Sequence, residues 1–503
     1  MSGDVIISER IRGRRSASLL RNGLYNVGGQ IVRGAVGLLT IPLLIRFLGI
    51  REYGVWSLAY AVLALMTVSE AGISVAAVVF LSEDFAKDDF EEAGTTLTFV
   101  LVSAVLLSTA VALFLWLAGP HLVRPLAAFG SAERAGAGRA IQVAGFAVAV
   151  LILQRVLVGV EQAFDRYAAI NALDIFQSLL VYVGLAVVAW LGGKTVVLMK
   201  WQAFACTLVL IAHCCFVLWL LRGKGLSFGW SSDKARRILR YSVGTWITTL
   251  GSTAFSQCDR LIVGGLLGPS VLGIYSAITT ITSRINLFSG TAVQPLLSSL
   301  SRDAPTNAPA EGPIRQAAHL NALIVIEAGI FLYVLADKVM HVMVPGANVH
   351  QAIVGLQIAT IIYALYSMSA PGFYLLFSVG EAGTNAIVTL SSALVSLGLI
   401  LLGARYFGLL GALSGNAGYL GMLYVIIAGL RRAGIALRRY LAWIAFPFLG
   451  LVVALLVGLF LQNHFWWRAG FVALQGVVFA SWFLHAEAAS DWLRLDLGRV
   501  SES

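Results

Sequence analysis

Long apolar runs alternate with short polar stretches from Leu20 almost to the end of the chain. Fourteen runs reach the roughly 20 residues that cross a hydrocarbon core as helix. They lie near 22–45, 54–80, 95–118, 139–160, 168–190, 197–221, 241–265, 272–298, 316–337, 351–377, 384–404, 409–430, 441–462 and 467–486. The pattern predicts an all-α polytopic membrane protein of about 14 transmembrane helices. Arg405-Tyr406-Phe407-Gly408 splits two of the runs as a tight hairpin, and Pro371-Gly372 places a kink near the end of 351–377.

The first two runs are joined by Arg46-Phe47-Leu48-Gly49-Ile50-Arg51-Glu52-Tyr53-Gly54, and a related pattern returns at Leu267-Gly268-Pro269-Ser270-Val271-Leu272-Gly273. An offset of 219 pairs Leu20-Arg21 with Leu239-Arg240, Leu48-Gly49 with Leu267-Gly268, Gly54 with Gly273, Trp56 with Tyr275 and Ser57 with Ser276. Six helices separate the copies. Because six is even, both copies run in the same sense, which implies parallel repeats about an axis along the membrane normal. The expected organisation is a tail at 1–21, an N-lobe of helices 1–6 at 22–221, a basic linker at 222–240, a C-lobe of helices 7–12 at 241–430, two added helices at 431–486 and a tail at 487–503. The two six-helix lobes are pseudo-symmetric.

Composition sharpens this. Apolar residues make up 59% and charged residues 12% of the chain, against about 25% charged in soluble domains. The net charge of +10 does not point to nucleic acid, because the basic residues sit mostly in short loops between the runs. With the N-terminus inside, the inner segments hold 21 Lys and Arg and the outer segments 10. That bias predicts both termini in the cytoplasm. Cys206, Cys214, Cys215 and Cys258 all fall in apolar runs, so no disulfide framework is implied. The first run is too long for a signal-peptide core and carries Arg33, so no removable leader is expected.

Charges inside lipid-length runs are costly and are the first functional suspects. Arg33 lies 12 residues beyond Arg21, roughly 18 Å along a helix, among Gly29, Gly34 and Gly37. Its plain structural partner is Glu70. Arg284 lies at similar depth beside Thr282, Ser283 and Asn286. Arg155, next to Gln154, and Arg260, next to Asp259, lie closer to the ends of their runs and within snorkelling reach of the interface. Glu70 and Glu327 are the carboxylates nearest mid-membrane. Asp174 is shallower, with Asn171 and Gln177 three residues to either side, on roughly one face. These three carboxylates are either counter-ions for the arginines or carriers of a coupling ion, H+ or Na+. Gly192-Gly193-Lys194-Thr195 looks like the tail of a phosphate loop, but Val188 stands where the loop needs its first glycine. The histidines show no metal spacing and no nucleophile constellation appears. A transporter is expected, without a cofactor, and not an enzyme.

Several stretches carry a family resemblance. Arg21-Asn22, Pro42-Leu43-Leu44-Ile45-Arg46-Phe47-Leu48-Gly49 and Glu52-Tyr53-Gly54-Val55-Trp56-Ser57 resemble polysaccharide (O-antigen or exopolysaccharide) flippases of the multidrug/oligosaccharidyl-lipid/polysaccharide exporter superfamily. Asp259-Arg260-Leu261-Ile262-Val263-Gly264, Gly273-Ile274-Tyr275 and Tyr406-Phe407-Gly408-Leu409-Leu410-Gly411-Ala412 are similar to the same family. The resemblance spans residues 20–430. It implies two lobes around a cavity that opens to each side in turn, and a polyprenyl-pyrophosphate-linked oligosaccharide carried from inner to outer leaflet of a bacterial inner membrane. It also implies partners in glycan polymerisation and export. Arginine suits a diphosphate, because its planar fork forms two parallel charge-assisted bonds to phosphate oxygens. Arg33, Arg284, Arg155 and Arg260 are therefore the candidate substrate contacts. Two other readings stay open: an ion-coupled multidrug exporter of the same superfamily, which would favour an acidic cavity, and a membrane polysaccharide polymerase or ligase.

Overall fold

The computed structural model describes residues 29–30, 32–294, 311–344, 349–460 and 464–488. The tail at 1–21, residues 22–28 of the first predicted helix, and all but the first two residues of the tail at 487–503 lie outside them. The described residues are mostly helical, with no strand among them. Eleven helical stretches among them are long and apolar enough to cross a membrane. The predicted pair at 384–404 and 409–430 falls within one of these, Ala382–Arg432. The predicted runs at 22–45, 272–298 and 441–462 extend into positions outside the described set.

In chain order the helices are α1 (29–30 and 32–48), α2 (Ile50–Met66), α3 (Ile73–Ala86), α4 (Phe90–Leu122), α5 (Ser131–Ala163), α6 (Tyr167–Trp190) and α7 (Thr195–Leu221). The run Ser232–Val293 is broken at Gly268, giving α8 (232–267) and α9 (269–293). Then follow α10 (Glu311–Val334), α11 (Ala336–Met343), α12 (Val349–Ser367) and α13 (Ala370–Ser378). The run Ala382–Gly415 is broken at Gly408 into α14 (382–407) and α15 (409–415). A 3-10 stretch, Asn416–Leu423, leads into α16 (Tyr424–Arg432), and α17 (Leu437–Phe460) and α18 (Phe465–Ala488) close the chain. Contacts divide the chain into two compact units, Met1–Gly273 and Ile274–Ser503.

In the first unit α5 is the most enclosed helix, packed by α2, α3, α4 and α7. Its start is fixed locally. Glu133 reaches back to the Gly130 amide at 2.8 Å, as a third-position acid does at a helix entry. Small residues then set its spacing. A methyl on Gly145 would lie 2.9 Å from Leu115 Cβ, and one on Gly138 would lie 3.2 Å from Pro120 Cα, so α4 and α5 meet almost backbone to backbone. Pro120 lacks the N–H that would bond Trp116, and Gln142 of α5 supplies it, its Nε2 donating to the Trp116 carbonyl at 2.9 Å.

The repeat is visible in the backbone. Gly49 has φ 77°, ψ 155° and its counterpart Gly268 has φ 82°, ψ 176°, a region essentially reserved for glycine. Each ends one helix and starts the next. Gly54 and Gly273 are also paired by the offset, and both lie where α2 meets the start of α9. A methyl on Gly54 would lie 1.8 Å from the Pro269 carbonyl oxygen and one on Gly273 would lie 2.3 Å from that of Ile50.

The predicted runs 54–80 and 351–377 are interrupted. The run 54–80 is cut by a 3-10 turn at Thr67–Glu70, followed by Ala71 (φ 56°) and Gly72 (φ 72°), both left-handed. The kink in 351–377 falls at Met368-Ser369, and Pro371 sits in the first turn of α13, where its missing N–H costs nothing. In the second unit α17 and α18 lie against α10.

Candidate functional site

Arg33 sits on α1 and Asp174 on α6, and Arg33 Nη1 donates to Asp174 Oδ2 at 2.9 Å. Both side chains are about one-quarter to one-third exposed. Gly29 and Gly37 lie one turn to either side of Arg33 and let α6 approach: methyls there would lie 2.6 Å from Asn171 Oδ1 and 3.3 Å from Tyr182. Gly34 faces open space. The partner of Arg33 is thus Asp174 and not Glu70, because the glycine stripe turns Arg33 towards α6.

Glu70 ends the 3-10 turn between α2 and α3 and is almost fully buried. Its Oε1 accepts from Ser74 Oγ at 2.9 Å and lies 3.6 Å from Arg155 Nη1 of α5. Its Oε2 has no partner among the described residues. The Val68 carbonyl of the turn accepts from the Ala71 amide at 3.3 Å and also from Trp246 Nε1 of α8 at 2.8 Å. Arg155 is half exposed, so it bridges a buried carboxylate and an open space. The sequence grouping of Asn171, Asp174 and Gln177 is dispersed. Asn171 bonds the Tyr167 carbonyl of its own helix, and Gln177 exchanges bonds with Gln154 at 2.6 and 3.2 Å.

Arg260 on α8 donates from Nη1 to Gln257 Oε1 at 3.1 Å, one turn back on the same helix. Asp259 turns onto the Arg260 backbone amide at 2.7 Å. In the second unit Arg284, on α9, is half buried. No hydrogen bond or ion pair of its guanidinium occurs among the described residues, and its Nε is enclosed without a partner. The neighbouring hydroxyls do not serve it: Thr282 and Ser283 donate back to the carbonyls of Ile278 and Thr280. Glu327, on α10, also has an enclosed, unpartnered oxygen, Oε1, among the described residues. Its Oε2 faces Gly476 of α18.

Three polar features escaped the sequence reading. Glu161 of α5 and His213 of α7 are fully buried and bonded at 2.7 Å. Arg468 on α18 is 5% exposed and forks onto Asp337 at 3.0 and 2.7 Å, with a third bond to the Val334 carbonyl. Burial disfavours the charged form of Asp337, but the Arg468 fork outweighs it and holds the carboxyl below its usual range. Lys234, at the start of α8, bonds Asp84 at 2.9 Å and also Glu92. All three join residues at least 52 positions apart, so no local pattern signals them. No group of metal-binding side chains forms among the described residues.

Among the described residues, Arg33 pairs with Asp174 and Arg155 faces Glu70 in the first unit, whereas in the second the Arg284 guanidinium and Glu327 Oε1 have no partner. A family model described as polysaccharide biosynthesis protein matches residues 19–301, more than half of the chain. The chain belongs to the polysaccharide biosynthesis protein family. Solved structures agree on the fold. The lipid II flippase MurJ in an inward closed conformation is 14% identical over 92% of this chain and 99% of its own, with a TM-score of 0.74. An inward-facing multidrug resistance MATE family transporter of the MOP superfamily is 16% identical over 84% and 95%, with a TM-score of 0.65. A MOP superfamily transporter from Pyrococcus furiosus, described by the reverse polarity of its binding pocket, is 17% identical over 85% and 96%, with a TM-score of 0.56. No curated protein matches the sequence significantly. This family member therefore has an all-helical, multi-pass transporter fold.

Proposed function

We propose that this protein carries polyprenyl-diphosphate-linked oligosaccharide from the inner to the outer leaflet of the bacterial cytoplasmic membrane by alternating access, for cell-surface polysaccharide synthesis. The observation that carries the reading is Arg284. Its guanidinium lies in an apolar helix without a counter-charge among the described residues. An unpaired charge in such a place is expensive, and a diphosphate head group supplies the missing anion with the geometry that arginine bonds best. Arg33 is the second contact and Arg155 and Arg260 are accessory ones. Glu70, Glu327 and Asp174 are the groups for a coupling ion, H+ or Na+. Both termini face the cytoplasm, and glycan polymerase or export machinery takes the product.

The test is lipid analysis of cells lacking the gene. Polyprenyl-diphosphate oligosaccharides accumulate on the cytoplasmic leaflet, and the wild-type chain clears them while Arg284→Ala, at equal membrane abundance, does not. Unchanged lipids together with new sensitivity to cationic drugs would overturn this reading in favour of drug export, with Glu327 as the contact.

A further inference from the structure

Where α4 turns into α5 there is a cavity of about 550 Å³, lined among others by Pro120, Val123, Arg124, Ser131, Arg134 and Arg139. Its floor is the close crossing of α4 and α5 at Gly119 and Gly138. A methyl on Gly119 would lie 3.1 Å from the Gly138 carbonyl oxygen, so the helices leave no room for side chains there and the space opens above them. Ser131, Arg134 and Gly138 follow one another at three- and four-residue steps and so share one face of α5. Arg139 is the next position round, and Arg124 enters from the turn after α4.

The three arginines form no ion pair or hydrogen bond with their guanidiniums among the described residues, and Arg134 Nε is enclosed without a partner. The nearest carboxylate along the chain, Glu133, is committed elsewhere, to Arg51 and to the Gly130 amide. Like charges this close on a helix repel one another. The cavity thus has a concentrated positive wall and, among the described residues, no carboxylate in its lining. Two or three negative charges on one compact group match it better than the single charge of a phosphodiester, and arginine forks bond phosphate oxygens in pairs.

The other wall identifies the rest of the ligand. Leu113, Trp116, Leu117 and Pro120 share one face of α4, and the first three are 56%, 60% and 62% exposed. They form an apolar track leading away from the cavity mouth for roughly 10 Å at helical rise. We infer that this cavity binds a lipid whose head ends in a phosphate or diphosphate, the head held by Arg124, Arg134 and Arg139 and the chain lying along α4. The site is separate from Arg33 and Arg284 and does not require that the chain move lipids. On the orientation favoured by the Lys and Arg distribution, it faces the outer leaflet.

Geranylgeranyl diphosphate, inorganic pyrophosphate and phosphatidylglycerol, each titrated against the purified full chain and followed by native mass spectrometry, test the inference. Geranylgeranyl diphosphate should bind at least tenfold more tightly than either of the others. Arg124→Gln/Arg134→Gln/Arg139→Gln should weaken it at least tenfold, and Arg124→Gln alone, at an exposed position, about threefold, a change that folding does not explain. Trp116→Ser/Leu117→Ser should weaken the lipid and leave pyrophosphate unchanged. Equal binding of lipid and pyrophosphate would overturn the lipid assignment. Binding within twofold of wild type in the triple variant would overturn the site. Loss in Arg33→Ala/Arg284→Ala but not in the triple variant would move the binding to the substrate contacts of the proposed function and overturn the inference while sparing that function.

Discussion

Glu161 and His213 offer the clearest energetic test of the interior. Both are 0% exposed, bonded at 2.7 Å, and each retains one atom, Oε2 and Nε2, without a partner among the described residues. The pair therefore satisfies only half of what it buries. Glu161→Ala strips His213 of its remaining partner and opens a cavity between α5 and α7. An unsatisfied buried group costs about 1–3 kcal/mol. Replacing both by leucines of similar volume removes every orphaned atom, and such replacements range from neutral to about 1–4 kcal/mol stabilising. The expected order of thermal stability is Glu161→Leu/His213→Leu at or above wild type, with Glu161→Ala and His213→Ala well below it. Midpoints and half-lives from size-exclusion traces of heated, detergent-purified protein give that order. Half-lives matter because large proteins commonly unfold irreversibly. Single variants that melt with wild type, or a double leucine variant that melts below both, would refute the reasoning and show the pair fully satisfied in the folded state.

Other outcomes follow from the same geometry. Gly54→Ala puts a methyl 1.8 Å from the Pro269 carbonyl oxygen, so α2 and the start of α9 must separate; a loss of about 3 kcal/mol is expected from such overpacking, while Gly34→Ala, facing open space, should melt as wild type. Asp174→Asn should cost about 1 kcal/mol, since the pair is partly solvent-screened, and Arg33→Gln/Asp174→Asn should regain it in the same melting assay. Asp337 titrates below its ordinary 3.8 because of Arg468, so the fork's contribution is complete above that value and is lost as pH falls through the lowered one. Wild type and Arg468→Gln should then differ in melting temperature at pH 7 and converge on acidification below about pH 4, near the free carboxylate value.

What was legible in the sequence was whatever rests on local chemistry. Lipid-length apolar runs gave the helices, and Gly408, with φ 62°, lies at the predicted hairpin. The offset of 219 pairs Gly49 with Gly268, which share one glycine-only conformation, and Gly54 with Gly273, which are packed at one helix crossing. These positions could be read because only glycine fits them. The break at 67–72 could not, since it depends on a left-handed alanine, Ala71, which no local rule favours. Partner choice was also hidden. Arg33 reaches a carboxylate 141 residues away because Gly29 and Gly37 bring α6 close, and Arg468 is buried because α18 packs on α10, which hydropathy does not reveal.

The arrangement of charges constrains how the proposed head-group contacts share their work. Arg284 has no counter-charge to give up among the described residues, so an anion gains its full interaction there at once. Arg33 is different, because a phosphate must compete with Asp174 for the Nη1 now donating to that carboxylate. Whatever frees Arg33 leaves Asp174 uncompensated in an apolar helix, and a bare carboxylate in that setting is costly until it takes up a proton or a metal cation. Binding of the anion at Arg33 and of a cation at Asp174 would thus assist each other, by the reciprocity that any such linkage obeys. Glu70 cannot play the same part for Arg33, since it is held by Ser74 and faces Arg155. The pair that the glycine stripe assembles, Arg33 with Asp174, is therefore where ion coupling and substrate recognition would meet in one exchange of partners. Asp174→Asn separates the two. It removes the competitor, so it should tighten diphosphate binding at Arg33 while abolishing the dependence of that binding on the coupling ion.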